Sequence, residues 1–153
     1  MTVSVQQQAF DIQAQYELLL GSRAGAGVAT FTGYVRDLSE GGTVTALELE
    51  HYPGMTEKVL GEIGASAEQR FGLLGWRIVH RFGLLGDQEA IVWVGTVADH
   101  RTAAFAGCQF IMDSLKTRAP FWKREHLEGG NALWVQSTAE DLDRELAWQE
   151  KQV

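Results

Sequence analysis

The sequence predicts an α+β protein built around a mixed sheet. Segments with the two-residue period of a strand are interleaved with segments of helical period. Several neighbouring strand segments are separated only by short Gly-containing turns, as hairpins are, which argues against a doubly wound parallel sheet. The chain also has 17 Gly and 2 Pro in 153 residues, a balance that describes many tight turns and no long linker.

Taken in order, Thr2 to Ala9 reads as a short strand. Asp11 is placed to cap a helix running to about Leu20, and Gly21 can end it. Gly25 to Arg36 is rich in β-branched and aromatic residues and reads as a strand, followed by the polar loop 37–42. Thr43 to Tyr52 alternates apolar and polar residues, as a half-buried strand paired with the preceding one would. After the Pro53-Gly54 turn, Val59, Leu60, Ile63, Ala67 and Phe71 recur at helical spacing. Trp76 to Phe82 and Ala90 to Ala98 read as strands on either side of a turn at Gly86-Asp87. Asp99 can cap a helix from about Arg101, with Ala104, Phe105, Cys108, Ile111, Met112 and Leu115 as its apolar stripe. Pro120 disfavours helical backbone at Ala119 and so ends it. Phe121 to His126 and Leu133 to Gln136 read as short strands around Gly129-Gly130, and Ala139 to Gln149 as a surface helix.

The length fits a single domain spanning 1–153. The net charge of −7 makes nucleic acid a poor partner, because phosphate contacts need clustered Lys and Arg. No run of about 18 apolar residues is present, so no membrane-spanning helix is expected. The first residues lack the basic and apolar regions of a signal peptide, and the chain reads as cytoplasmic. One cysteine, Cys108, cannot form an internal disulfide, and it lies on an apolar helix stripe, as a core residue does. The four His show no metal-ligand spacing, and no phosphate-loop or nucleophile-elbow motif occurs. Neither a metal nor a resident cofactor is expected.

Against this acidic background, Lys116, Arg118, Lys123 and Arg124 fall within nine positions, around Pro120, Phe121 and Trp122. A solvated basic face is one reading of such a run. The other is an anion site, in which the aromatics shield a lysine, lower its pKa and fit it for acid–base or nucleophilic work. Asp99-His100-Arg101 stands at a strand-to-helix junction, where free amides attract anions; a plain cap with two exposed side chains explains it equally well. Arg36, at a strand end, reads alone as a solvent-facing residue.

These segments together resemble the MoaE family, the large catalytic subunits of molybdopterin synthase. The resemblance rests on FTGYVRD (31–37), LELEHYPGMTEK (47–58), VGTVADHRTAAFAGCQFIMDSLKTRAPFWKRE (94–125) and the Trp134-Val135 strand. It covers nearly the whole chain and is loosest over the N-terminal twenty-odd residues and the acidic tail. It implies an α/β hammerhead-type domain with an additional antiparallel β-subdomain. It also implies a homodimer in which each copy binds a small ubiquitin-like subunit, giving a heterotetramer. The C-terminal Gly-Gly of that small subunit carries a thiocarboxylate, and two sulfurs pass from it to cyclic pyranopterin monophosphate to make the dithiolene of molybdopterin.

By the same resemblance, Lys116 and Lys123 are the catalytic residues. Tyr34, Val35, Arg36, His100, Arg101, Arg124 and Glu125 join them in binding substrate. Tyr34 stands where some relatives carry a basic residue. Lys123, between Trp122 and Arg124, is expected to have a lowered pKa from desolvation and a cationic neighbour. The alternative is a non-catalytic module that binds a ubiquitin-like or acidic partner through 116–125. A phosphoester hydrolase is disfavoured, since neither a metal cluster nor an activated nucleophile is evident.

Overall fold

The computed structural model describes residues 2–21 and 27–151. Its elements are β1 (Val3–Gln6), α1 (Ile12–Leu20), β2 (Gly27–Tyr34), β3 (Leu38–Ser39), β4 (Gly42–His51), α2 (Met55–Phe71), β5 (Gly75–Arg81), β6 (Gly83–Gly86), β7 (Ala90–Ala98), α3 (Arg101–Arg118), β8 (Phe121–Leu127), β9 (Ala132–Val135) and α4 (Ala139–Glu150). The expected α+β class is what is found. Gly25 and Ala26 of the expected second strand lie outside the described residues.

Two sheets divide the strands. The first has the order β1-β5-β7-β2, with β1 parallel to β5 and the other pairs antiparallel. Its main core is formed under α2 and α3 by Leu60, Ile63, Ile78, Val94 and Ile111, all fully buried. The opposite face packs Val79, Trp93 and Val97 against Leu19 of α1. Alternation decides these sides: in β5, Trp76 and Ile78 belong to the first cluster and Val79 to the second. Gly64 of α2 has a structural reason. A Cβ there would stand 2.3 Å from the Trp76 ring, so only Gly lets the helix seat on that indole.

The second sheet is antiparallel, ordered β3-β4-β8-β9, with β6 on the other edge of β4. Its core is Val35, Val44, Leu47, Leu49, Leu85 and Leu127. Here three expectations are corrected. The strand 42–51 does not pair with β2, whose partner is β7 along its whole length. The loop after β2 instead folds into a two-residue strand, Leu38 opposite Thr43, and turns β4 into the second sheet. Residues 83–86, outside the expected strand that ends at Phe82, form β6, with Leu85 fully buried opposite Leu47.

Two further corrections concern helices. The N-cap of α3 is His100, with no side-chain cap bond, rather than Asp99. Phe105 is 66% exposed and lies off the buried face, where Gly107 and Phe110 stand instead. The tail helix α4 is the surface helix expected, with no buried residue, and it is anchored at both ends. Its capping box at Thr138 and Asp141 starts it, and Trp148 then packs edge-on against Phe71 and Phe110 while its Nε1 donates to Asp113 Oδ2 at 2.7 Å.

Candidate active site

Helix α3 follows β7 and runs back across the sheet, so its C-terminal turn lies over the end where β7 begins and β5 finishes. β2 finishes at that same end, with Tyr34 opposite Ala90. Lys116, Arg36 and the last residues of β5 are thereby brought together by topology. β8 enters the same region as soon as Pro120 has ended the helix, carrying Lys123.

β8 sorts its residues by alternation. Lys123 is opposite Leu49 and Glu125 opposite Leu47, so both share the inner face of the second sheet with buried leucines. Arg124 is opposite Glu48 and Trp134, on the outer face. Its guanidinium is held there by Glu48 at 2.6 Å and stacks over the Trp134 ring. His126 Nε2 lies 2.9 Å from the same carboxylate, and the hydrogen bonds from Arg124 and His126 hold Glu48 below the usual range. Arg124 and Glu125, adjacent in the motif, therefore face opposite ways.

Burial pushes the Lys123 ammonium down to about 8, helped by the positive charges of Lys116 and Arg36 and opposed by Asp141 and Glu125. The fall is the expected one, but its source is different. Trp122 and Arg124 point away; the inner face of the sheet removes the water, and residues distant in sequence supply the charge.

Lys116 is exposed on the last turn of α3. It lines a cleft of about 390 Å³ with Phe31, Phe105, Met112, Asp141 and Arg144. Ser137 donates to the Lys116 carbonyl at 2.7 Å, which ties the start of α4 to this turn. Tyr34 and Arg36 are exposed on either side of Val35. Val35 itself is a core residue; its N–H donates to Glu89 and its carbonyl accepts from Gln88. Its side chain thus anchors the strand end that presents Tyr34 and Arg36.

His100 and Arg101 are exposed at the other end of α3. Fifteen helical positions separate Arg101 from Lys116, roughly 22 Å along the axis. One copy of the chain does not bring these two groups into one pocket.

Three residues that did not stand out in the sequence border the lysines. His80 is near enough to both that the charges of Lys123 and Lys116 add to burial in keeping its ring unprotonated, and His51 of β4 stands nearby, its ring 6.2 Å from that of Phe121, on which His80 stacks. Asp141 faces both lysines from α4, where the Thr138 backbone N–H and the Lys116 charge keep its carboxyl low against the opposing effect of burial. The signal for His80 was its place in the alternating row Trp76, Ile78, His80; Asp141 had none beyond its capping spacing. Cys108 is buried, which raises its thiol to about 11 and suits a core role. Among the described residues no cluster of three His, Cys, Asp or Glu could hold a metal.

Asp141→Asn keeps an acceptor for the capping box while removing one negative charge from the cleft. Losing an anion disfavours a nearby cation, so the Lys123 titration should move below 8. The pH dependence of acylation at Lys123, followed by peptide mass spectrometry, measures it. An unchanged midpoint would show that Asp141 does not act on this amine.

The model of the MoaE protein family matches residues 5–118. The chain is 48% identical over 151 residues to the molybdopterin synthase catalytic subunit of Pseudomonas aeruginosa, covering 98% of this chain and all of that one. Its structure is similar to the MoaE protein of Burkholderia ambifaria (TM-score 0.82, 45% identity, 97% of each chain). It is also similar to molybdopterin synthase from Staphylococcus aureus (TM-score 0.81, 28% identity, 88% of this chain and 97% of that one). Among the described residues no helix is long and apolar enough to cross a membrane.

Proposed function

Because this chain belongs to the MoaE family and is the catalytic subunit of a molybdopterin synthase, we propose that sulfur transfer takes place in the basin formed by Lys116, Lys123 and Arg36. The observation that carries this reading is Lys123: a partly buried amine on the inner face of β8, flanked by two further cations and brought to about 8. An amine in that range exchanges protons near neutral pH, as general acid–base catalysis requires.

The anionic C-terminal tail of the small ubiquitin-like subunit enters beside Lys116, on the exposed turn that ends at Pro120. Lys116 engages or polarises the tail's terminal acyl group. Lys123 moves protons as sulfur adds to the cyclic pyranopterin monophosphate and oxygen leaves. Arg36 offers its guanidinium to the pterin phosphate, with Tyr34 beside it and Glu125 on the Lys123 face. Arg124 contributes by fixing β8 through Glu48 rather than from within the basin. A cytoplasmic setting belongs to the same proposal, and a lone buried thiol suits a reducing compartment.

His100 and Arg101 take their substrate-binding part through the homodimer. With roughly 22 Å between them and Lys116 in one copy, each basin is completed by the partner subunit's His100 and Arg101. Mixing tests this. A dimer of one Lys123→Ala copy and one Arg101→Ala copy has one basin with both residues intact and one with neither. At a pterin concentration far below the raised KM of Arg101→Ala, where both parents are nearly silent, random re-association should restore about a quarter of wild-type turnover. Recovery of nothing would place the two groups in separate, independent functions.

A further inference from the structure

His80 is a buried imidazole that the lysine chemistry leaves unused. It closes the β5 row that faces α2 and α3, and it is 6% exposed. Its Nδ1 lies 2.8 Å from the Arg81 carbonyl oxygen, which can only accept, so the ring proton is on Nδ1. Burial lowers the ring to about 3, and the charges of Lys123 (β8), Lys116 (α3) and His51 (β4) push the same way. The ring is therefore neutral, and Nε2 is a lone pair that accepts only.

That lone pair is open. No side chain or backbone group among the described residues bonds Nε2, yet no fully enclosed side-chain N or O there lacks a partner. Nε2 must then border space that a ligand or solvent reaches. The ring's orientation is also fixed. It stacks on Phe121 with centroids 3.8 Å apart and planes 17° from parallel. Phe121 and Lys123 share one face of β8, so the imidazole lies on the side that carries the amine.

We propose that His80 is a positioning residue for sulfur transfer, its Nε2 accepting an N–H from Lys123 when the small subunit's tail and the pterin fill the basin, so that the rest of the amine is aimed at the reacting atoms. Such bonds often close only in the loaded complex. A ring that cannot be protonated at working pH orients the amine without competing for the proton it moves. The proposal rests on the proton-transfer role assigned to Lys123.

The test uses the reconstituted heterotetramer and two variants. His80→Phe keeps an aromatic ring for the Phe121 stack and removes the acceptor; His80→Gln restores an acceptor without the ring. The expected result is a roughly tenfold or greater fall in kcat for His80→Phe. Its KM for the pterin precursor and its Kd for the small subunit should stay within about twofold, and His80→Gln should recover most of the rate. Full turnover in His80→Phe would overturn the proposal. So would equal losses in both variants that follow a lowered melting temperature, since that is the pattern of a packing residue. Lys123→Ala, measured alongside, separates the two layers. If it is fully active, the lysine role itself fails; if it is inactive while His80→Phe is unimpaired, only the positioning role fails.

Discussion

Lys123→Ala should lower sulfur transfer by two to four orders of magnitude, roughly the contribution of a positioned acid–base group, while the small subunit still binds. Three structural facts separate chemistry from binding here. The amine is partly buried on the inner face of β8, whereas Lys116 is exposed on the last turn of α3. The lowered pKa marks an amine that is tuned for proton exchange rather than for permanent charge. The fold, moreover, does not depend on that charge. A lysine whose pKa falls on folding binds protons more weakly in the native state, so it lowers stability progressively as pH falls from about 10.5 to about 8 and by a constant amount below. Removing it should leave the melting temperature at pH 7 unchanged or higher. Steady-state kinetics, calorimetry with the small subunit and thermal melts check the three parts. Near wild-type turnover would contradict the catalytic role.

Trp148→Ala should destabilise the fold by about 2–3 kcal/mol, below the range for a fully buried aromatic because the side chain is only partly buried. The side chain fills the space between Phe71 and Phe110, and Arg70 lies 5.3 Å over its ring. Truncation also strips the Nε1 donor from Asp113, a carboxylate only 8% exposed. A buried acceptor left unpaired adds to the cavity cost. For a chain of this length the melting temperature should drop by about 5–10 °C. The loss reaches the site, because α4 carries Asp141. With the Arg70–Trp148 carbonyl and Ser114–Glu145 bonds left to hold its second half, the helix should loosen over the cleft, and the Lys123 midpoint should fall part of the way expected for Asp141→Asn. A stable Trp148→Ala protein with an unshifted midpoint would show that α4 is not coupled to the basin. Trp148→Phe, which keeps a ring but not the N–H, should lose only part of the stability.

Local patterns made much of this legible in advance. The helices 12–20, 55–71 and 101–118 and the long strands followed from periodicity, caps and the break at Pro120. Two short elements did not. β3 has two residues and β6 four, too few for a period to show, and both exist because β4 offers them an edge. The basic segment stood out as a candidate site, but its sides did not. Read as a string, KRE is one cluster; read with a period of two, Arg124 belongs to Glu48 and Trp134, and Lys123 to the basin. Strand assignment at 121–127 was enough to predict this. Helix length was likewise enough to predict that Arg101 and Lys116 lie far apart. The contribution of α4 was hidden for a different reason. Its composition is that of a solvated acidic helix, and only the docking of Trp148 between two helices reveals where its first turn points.

The most direct measurement is reconstitution from purified parts: this chain, the small subunit with its C-terminal thiocarboxylate, and cyclic pyranopterin monophosphate. Dithiolene product should form catalytically, its rate should vanish with Lys123→Ala, and small-subunit binding should survive that substitution. A tight complex that yields no dithiolene with the wild-type chain would instead mark a binding module and contradict the account.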